Sequence, residues 1–211
     1  GMGGVARRAR LIQQILSENS NTLILDAGDI FQGTPYFNFY GGELEFKLMN
    51  RMGYHAATLG NHDFDNGLEG LLAQLPNAEF QFVSSNYDFS NTILDGFIKP
   101  YTVFERGGIR IGVFGLGIAL EGLVLPELYG ETVSNHPYEI AQDMAQSLRL
   151  KEKCHLIICR SHLGYKYREE QRYSDVVLAK TTSGIDLIIG GHTHTFMEKA
   201  DVLENRDGNK V

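Results

Sequence analysis

Ala56-Ala57-Thr58-Leu59-Gly60-Asn61-His62-Asp63 is a short apolar run that breaks at a glycine into three polar residues. A brief apolar run bounded by turn signals reads as a strand covered on both faces, here with Asn61, His62 and Asp63 where the chain leaves it. The same grammar recurs three times. Residues 22–25 (Thr-Leu-Ile-Leu) run into Asp26-Ala27-Gly28-Asp29, residues 156–159 into Ser161-His162-Leu163-Gly164, and residues 186–189 into Gly190-Gly191-His192-Thr193-His194. Between these strands lie helical patterns: residues 7–18 with a stripe of Ala9, Ile12, Ile15 and Leu16, then 43–52, a helix from Asn66 to Pro76, 137–151 and 173–181. Residues 99–105 and 109–114 flank Gly107-Gly108 as an antiparallel hairpin, and Asn205-Arg206-Asp207-Gly208 is a second hairpin turn. Residues 31–40, rich in aromatics, Gly and Pro, read as a loop. Alternating strands and helices with one hairpin predict an α/β fold, layered, with mixed sheets flanked by helices. Side chains at the carboxyl ends of its strands converge on one crevice.

Bulk properties narrow the function classes. The chain has 211 residues and is 43% hydrophobic, enough for one domain with a substantial core. Its formal charge of -7 argues against a nucleic acid polymer as partner, though not against a phosphate ester once a metal is bound. No apolar run approaches the ~20 residues of a membrane span, and no charged-then-apolar leader opens the chain, so no signal peptide is expected. Cys154 and Cys159 fall on one strand, too far apart for a disulfide, and read as core.

Asp, Asn and His are the oxygen and nitrogen ligands that Mn, Zn, Fe and similar divalent ions accept. Singly, each motif has an ordinary account: Asn61 as a helix cap, Asp29 as a turn residue, His162 as a polar strand end. Four in succession are specific. A His beside an Asp keeps one tautomer, and His62 can stabilise a transferring phosphoryl group or protonate a leaving oxygen. The glycine pair before His192 and His194 lets backbone approach a ligand closely. His55, His136 and His155 lie outside the motifs and read as structural or surface residues.

With these motifs in order, the chain resembles the calcineurin-like metallophosphoesterases, in particular the metallophosphatase domain of the bacterial 5'-nucleotidase and UDP-sugar hydrolase family. The matching text is Asp26 to Pro35, Met52 to Gly67, Ser161 to Gly164 and Gly190 to His194. The resemblance implies a layered metallophosphoesterase sandwich over residues 1–211, incomplete at both ends and without the family's nucleotide-binding C-terminal domain. It implies Asp29, Asn61, His162, His192 and His194 as metal ligands, and His62 with Asp63 as a catalytic dyad. Asp29 would bridge two ions, Asn61, His162 and His192 would complete one, and His194 would serve the other. The family's opening Asp-x-His strand has no counterpart before Gly3-Gly4, so the domain reads as N-terminally truncated, with one competent divalent-metal site rather than two. The expected activity is hydrolysis of nucleotide or sugar-nucleotide phosphates by a metal-bound hydroxide, impaired in this chain. The opposing reading is a non-catalytic domain that binds one metal or a phosphate ligand. A homodimer, or a separate chain carrying the C-terminal domain, is the expected protein partner, and a periplasmic or extracellular site is implied by the family alone.

Overall fold

The computed structural model describes residues 3–169 and 172–211. Two sheets organise them. The first is short, with β1 (Leu25–Asp26), β2 (Ala56–Ala57) and β3 (Gln81–Phe82) all parallel. A two-stranded antiparallel pair follows in the chain, β4 (Tyr87–Asp88) with β7 (Val133–Ser134). In the second sheet, β5 (Tyr101–Arg106) is antiparallel to β6 (Ile109–Leu116), while β6, β8 (Leu156–Ser161) and β9 (Leu187–Gly190) are parallel, in the order β5-β6-β8-β9. The layered α/β architecture with mixed sheets is therefore as expected.

The pleat explains how the layers stack. Along β6 and β8, Ile111, Val113 and Ile158 face one way and pack with Leu23 and Leu25 of the first-sheet side. Phe114, Leu116, Ile157 and Cys159 face the other way, onto Ala141, Ala145 and Leu148 of α6 (Pro137–Leu150) and Leu178 of α7 (Asp175–Thr181). Strands buried on both faces read as continuous apolar runs, which is why no alternation was visible in the sequence. The two layers approach closely at Gly115, where a Cβ would lie 2.2 Å from both Thr58 Oγ1 and the Val83 carbonyl oxygen. Only glycine fits there.

The first sheet is backed by α3 (Glu43–Met52) and α4 (Gly67–Gln74), with α1 (Val5–Glu18) and the short α5 (Pro126–Tyr129) alongside. An aromatic core forms around Phe46, whose ring centroid lies 5.3 Å from Phe31 and 5.2 Å from Phe82. Part of the expected 31–40 loop is instead helical: Thr34 precedes α2 (Pro35–Tyr40), Pro35 starts it and Gly41 ends it in the left-handed conformation. Phe31 and Phe37 are core; Tyr36, Phe39 and Tyr40 are exposed. The strand expected over 22–25 pairs regularly only at Leu25 and Asp26, because His55 Nδ1 takes the Ile24 N–H at 3.1 Å. His155 Nδ1 does the same for the Arg110 N–H, and His136 caps α6, so all three outlying histidines serve the backbone. The Gly107-Gly108 turn closes β5–β6 with both residues at positive φ, as a tight hairpin requires. At 205–208 the second turn returns the chain for only one bridge, Glu204 with Lys210. Cys154 and Cys159 are buried free thiols.

Candidate metal centre

The exits of β1, β2, β8 and β9 meet, as the sheet topology requires. Past β1, Asp29 takes a left-handed φ of 58°. Past β2, the Gly60 backbone lies so close that a Cβ there would sit 2.2 Å from Asp29 Oδ1. Asp63 holds the two loops together. Its carboxylate, 1% exposed, accepts the N–H groups of Asp29 (3.0 Å), Ile30 (2.9 Å), Phe31 (3.2 Å) and Gly60 (2.8 Å). Burial, and after it the charge of Asp29, push this carboxyl up to about 7 against the pull of those donors.

The β8 exit brings in His162, also 1% exposed. Its Nδ1 lies 2.6 Å from the Ala27 carbonyl oxygen, which fixes that nitrogen as the donor and leaves Nε2 with a lone pair. Nε2 is 2.9 Å from Asp29 Oδ2, yet it is buried and has no aligned hydrogen bond. Burial disfavours charge on His162, but Asp29 outweighs it and leaves the imidazole raised; the same contact outweighs burial at Asp29 and leaves that carboxyl lowered. The β9 exit brings His192, whose Nδ1 is 3.0 Å from Asn61 Oδ1, again leaving Nε2 free. Burial and the neighbouring His162 lower its pKa, so this ring is neutral near pH 7, as a ligand must be.

Ligand atoms of Asp29, His162 and His192 all lie within 4.8 Å of one another. An anionic oxygen, a neutral imidazole and a buried unpartnered nitrogen suit a divalent transition ion. Asn61, 7% exposed, borders this cluster through His192. His194 does not join it: the side chain is exposed and lines a neighbouring cavity of about 290 Å³ with Tyr165, Asp175 and Met197. Of the five described non-glycine residues at positive φ, three are Asp29, His192 and His194, so backbone strain concentrates at this crevice.

One pairing differs from the sequence reading. His62 Nδ1 meets Asp65 Oδ2 at 2.9 Å, not Asp63, and the His62 N–H donates to Asp29 Oδ1 at 2.9 Å. Residues 62–64 form a 3₁₀ turn, in which positions three apart eclipse, whereas Asp63 turns inward to the backbone of the β1 exit. The His-x-x-Asp spacing was legible in Gly60-Asn61-His62-Asp63-Phe64-Asp65; adjacency was the wrong guide.

Comparison with known proteins shows the family. The pattern of the family described as calcineurin-like phosphoesterase matches residues 1–196. The chain belongs to that family. Among curated proteins, this phosphoesterase domain is 36% identical to the trifunctional nucleotide phosphoesterase protein YfkN of Bacillus subtilis (strain 168), over 96% of the chain and 16% of that protein. It is also 36% identical to the snake venom 5'-nucleotidase of Gloydius brevicauda, over 92% of the chain and 32% of that protein. Among solved structures, the 5'-nucleotidase precursor from Thermus thermophilus superposes with a TM-score of 0.87 at 36% identity, covering 99% of this chain and 42% of that one. The calcineurin-like phosphoesterase domain is thus related to the 5'-nucleotidases and spans a third or less of the length of these two curated relatives. Among its described residues, no helix is long and apolar enough to cross a membrane.

Proposed function

We propose that this chain is the metal-dependent hydrolytic domain of a 5'-nucleotidase-type enzyme, acting on nucleotide or sugar-nucleotide phosphates. The observation that carries the reading is the cluster of Asp29, His162 and His192, with the buried Nε2 of His162 left without a hydrogen bond. Relatives named as 5'-nucleotidases support the substrate class.

A divalent ion bound here would supply Lewis-acid polarisation of phosphoryl oxygens and acidify a water. The rest falls to the chain's own groups. Asp29, His162 and His192 would hold the ion, and Asn61 orients His192 by accepting its Nδ1–H. His62, at the rim with its side chain about half exposed, is oriented by Asp65 and delivers a proton to the leaving oxygen or a hydrogen bond to the phosphoryl group. Asp63 acts through the backbone it braces. Because His194 stands apart from the cluster, we expect one ion per chain and slow turnover.

The test is metal content after loading with Mn(II) and removal of free ions, followed by phosphate release from a nucleoside monophosphate. One ion per chain with measurable release supports the proposal. One ion without release favours a domain that binds a single metal without turnover. No bound ion sinks both.

A further inference from the structure

β8 carries a buried charged residue two positions before His162. Arg160 is 0% exposed, in a strand otherwise made of Leu, Ile, Cys and Ser. Its Nη1 donates to the Asp26 carbonyl oxygen at 2.9 Å, while Nε and Nη2 are buried without a hydrogen-bond partner. Leaving such donors unpaired in the interior is costly, and an aliphatic side chain would fill the position without that penalty. What the guanidinium adds is one contact across the two layers and a positive charge beside the Asp26 side chain.

That contact sits at a decisive place. β1 belongs to the first sheet and β8 to the second, and no ladder joins them. Their exits are tied by Arg160 to Asp26 O and by His162 Nδ1 to Ala27 O, on consecutive residues of the chain that leads to Asp29. Without Arg160, the imidazole would have to anchor the β1 exit and serve as a ligand at once.

We propose that Arg160 is a positioning residue of the metal centre: it fastens the β1 exit to β8 so that Asp29 and His162, carried by different sheets, share one ion. This rests on the metal-binding function proposed above. Groups that orient ligands from behind cost about 10–100-fold in metal affinity when removed, and the loss of this inter-sheet contact belongs in that range.

The experiment is a Co(II) titration of the metal-free chain, followed by its visible absorption, with thermal melting by circular dichroism as a folding control. Arg160→Met keeps length and removes the donors and the charge. We expect it to melt cooperatively, to bind Co(II) about 10–100-fold more weakly, and to shift the absorption bands as the geometry relaxes. Arg160→Lys, which restores a charge and a donor, should recover at least part of the affinity. Binding by Arg160→Met within about twofold of the parent, with an unchanged spectrum, would overturn the proposal while leaving the metal-binding reading intact. Absence of Co(II) binding by the parent chain would overturn both. If Arg160→Met does not fold, Arg160→Gln replaces it, its amide being too short to restore the contact, and the same two outcomes decide.

Discussion

The loops after β1 and β2 and the loop after β9 contribute to one crevice, but they are built differently. Asp29 and Gly60 are stitched together by the four N–H bonds that Asp63 accepts, and Asn61 and His62 follow directly in the same turn. In the 190–195 loop, the Gly191 N–H donates to the Ser161 carbonyl oxygen, and Thr193 Oγ1 accepts the Tyr165 N–H. The His192 ring meets Asn61 Oδ1 and packs edge-on against His162, while His194 is exposed and lines the neighbouring cavity. Ligand geometry is thus set on one side by one buried carboxylate that gathers four N–H groups, and on the other by separate contacts, of which only the Asn61 amide hydrogen-bonds the His192 ring. The two sides touch at Asp29, His162 and His192, and that is where an ion would sit.

The strongest way to break this contrast is Asp63→Ala. Leaving four backbone donors unpaired should cost at least about 3 kcal/mol of unfolding free energy, seen as a lower urea midpoint, with metal uptake lost in parallel. A variant as stable as the parent would show that Asp63 does not organise the β1 and β2 exits. Asp65→Asn separates orientation from scaffold: we expect turnover to fall about 10–100-fold with KM and melting temperature unchanged, because the His62 ring loses only the negative charge of its partner. A loss of stability instead would return Asp65 to a structural role. Gly60→Ala probes the close approach itself and should destabilise by about 1–3 kcal/mol, since Asp29 backbone and side chain stand where the methyl would go.

A fourth measurement sits behind the β9 side. Asp175, 7% exposed with Oδ1 unpartnered, has its carboxyl raised to about 7 by burial, against the Ser161 hydroxyl and His162. The folded chain therefore holds this proton more tightly than the unfolded chain, whose value is near 3.8. The stability it contributes is present below that value and is lost as pH rises through about 7. Asp175→Asn removes the dependence, and relative to the parent it should gain about 2–3 kcal/mol between pH 5 and 8 in urea denaturation. A parallel pH profile for the two proteins would contradict it. The smallest effect belongs to His194→Ala, for which we expect unchanged metal content and stability; a lost ion would mean that the 190–195 loop closes over the crevice when metal is bound.

Much of this is legible in the amino-acid sequence. Apolar runs ending in Asp, Asn or His gave the strands of both layers their place and put Asp29, Asn61, His162 and His192 at one edge, because parallel strands deliver their carboxyl ends to one side. The Gly107-Gly108 hairpin followed from turn chemistry, and the short return after Asn205 from the same signal. Elsewhere local pattern was outvoted. Residues 35–40 became helix because Pro35 starts and Gly41 stops a turn whose Phe37 fills the aromatic core, and the Ile24 N–H paired with an imidazole that no strand pattern encodes.

What the sequence determined by itself was composition at a place: which ligand types leave which strand, in what order. What only the tertiary structure decided was pairing. Asp63 and Asp65 are both within reach of His62 along the chain, and the choice between them depends on a 3₁₀ turn that aims Asp65 at the ring while the β1 exit claims Asp63 with three N–H groups. His192 and His194 are alike as letters, yet one finds Asn61 across 131 residues of chain and the other finds solvent. Hydrogen-bond partners separated by more than a hundred residues are fixed by how two sheets stack, and stacking is a property of the packed core rather than of any segment within it.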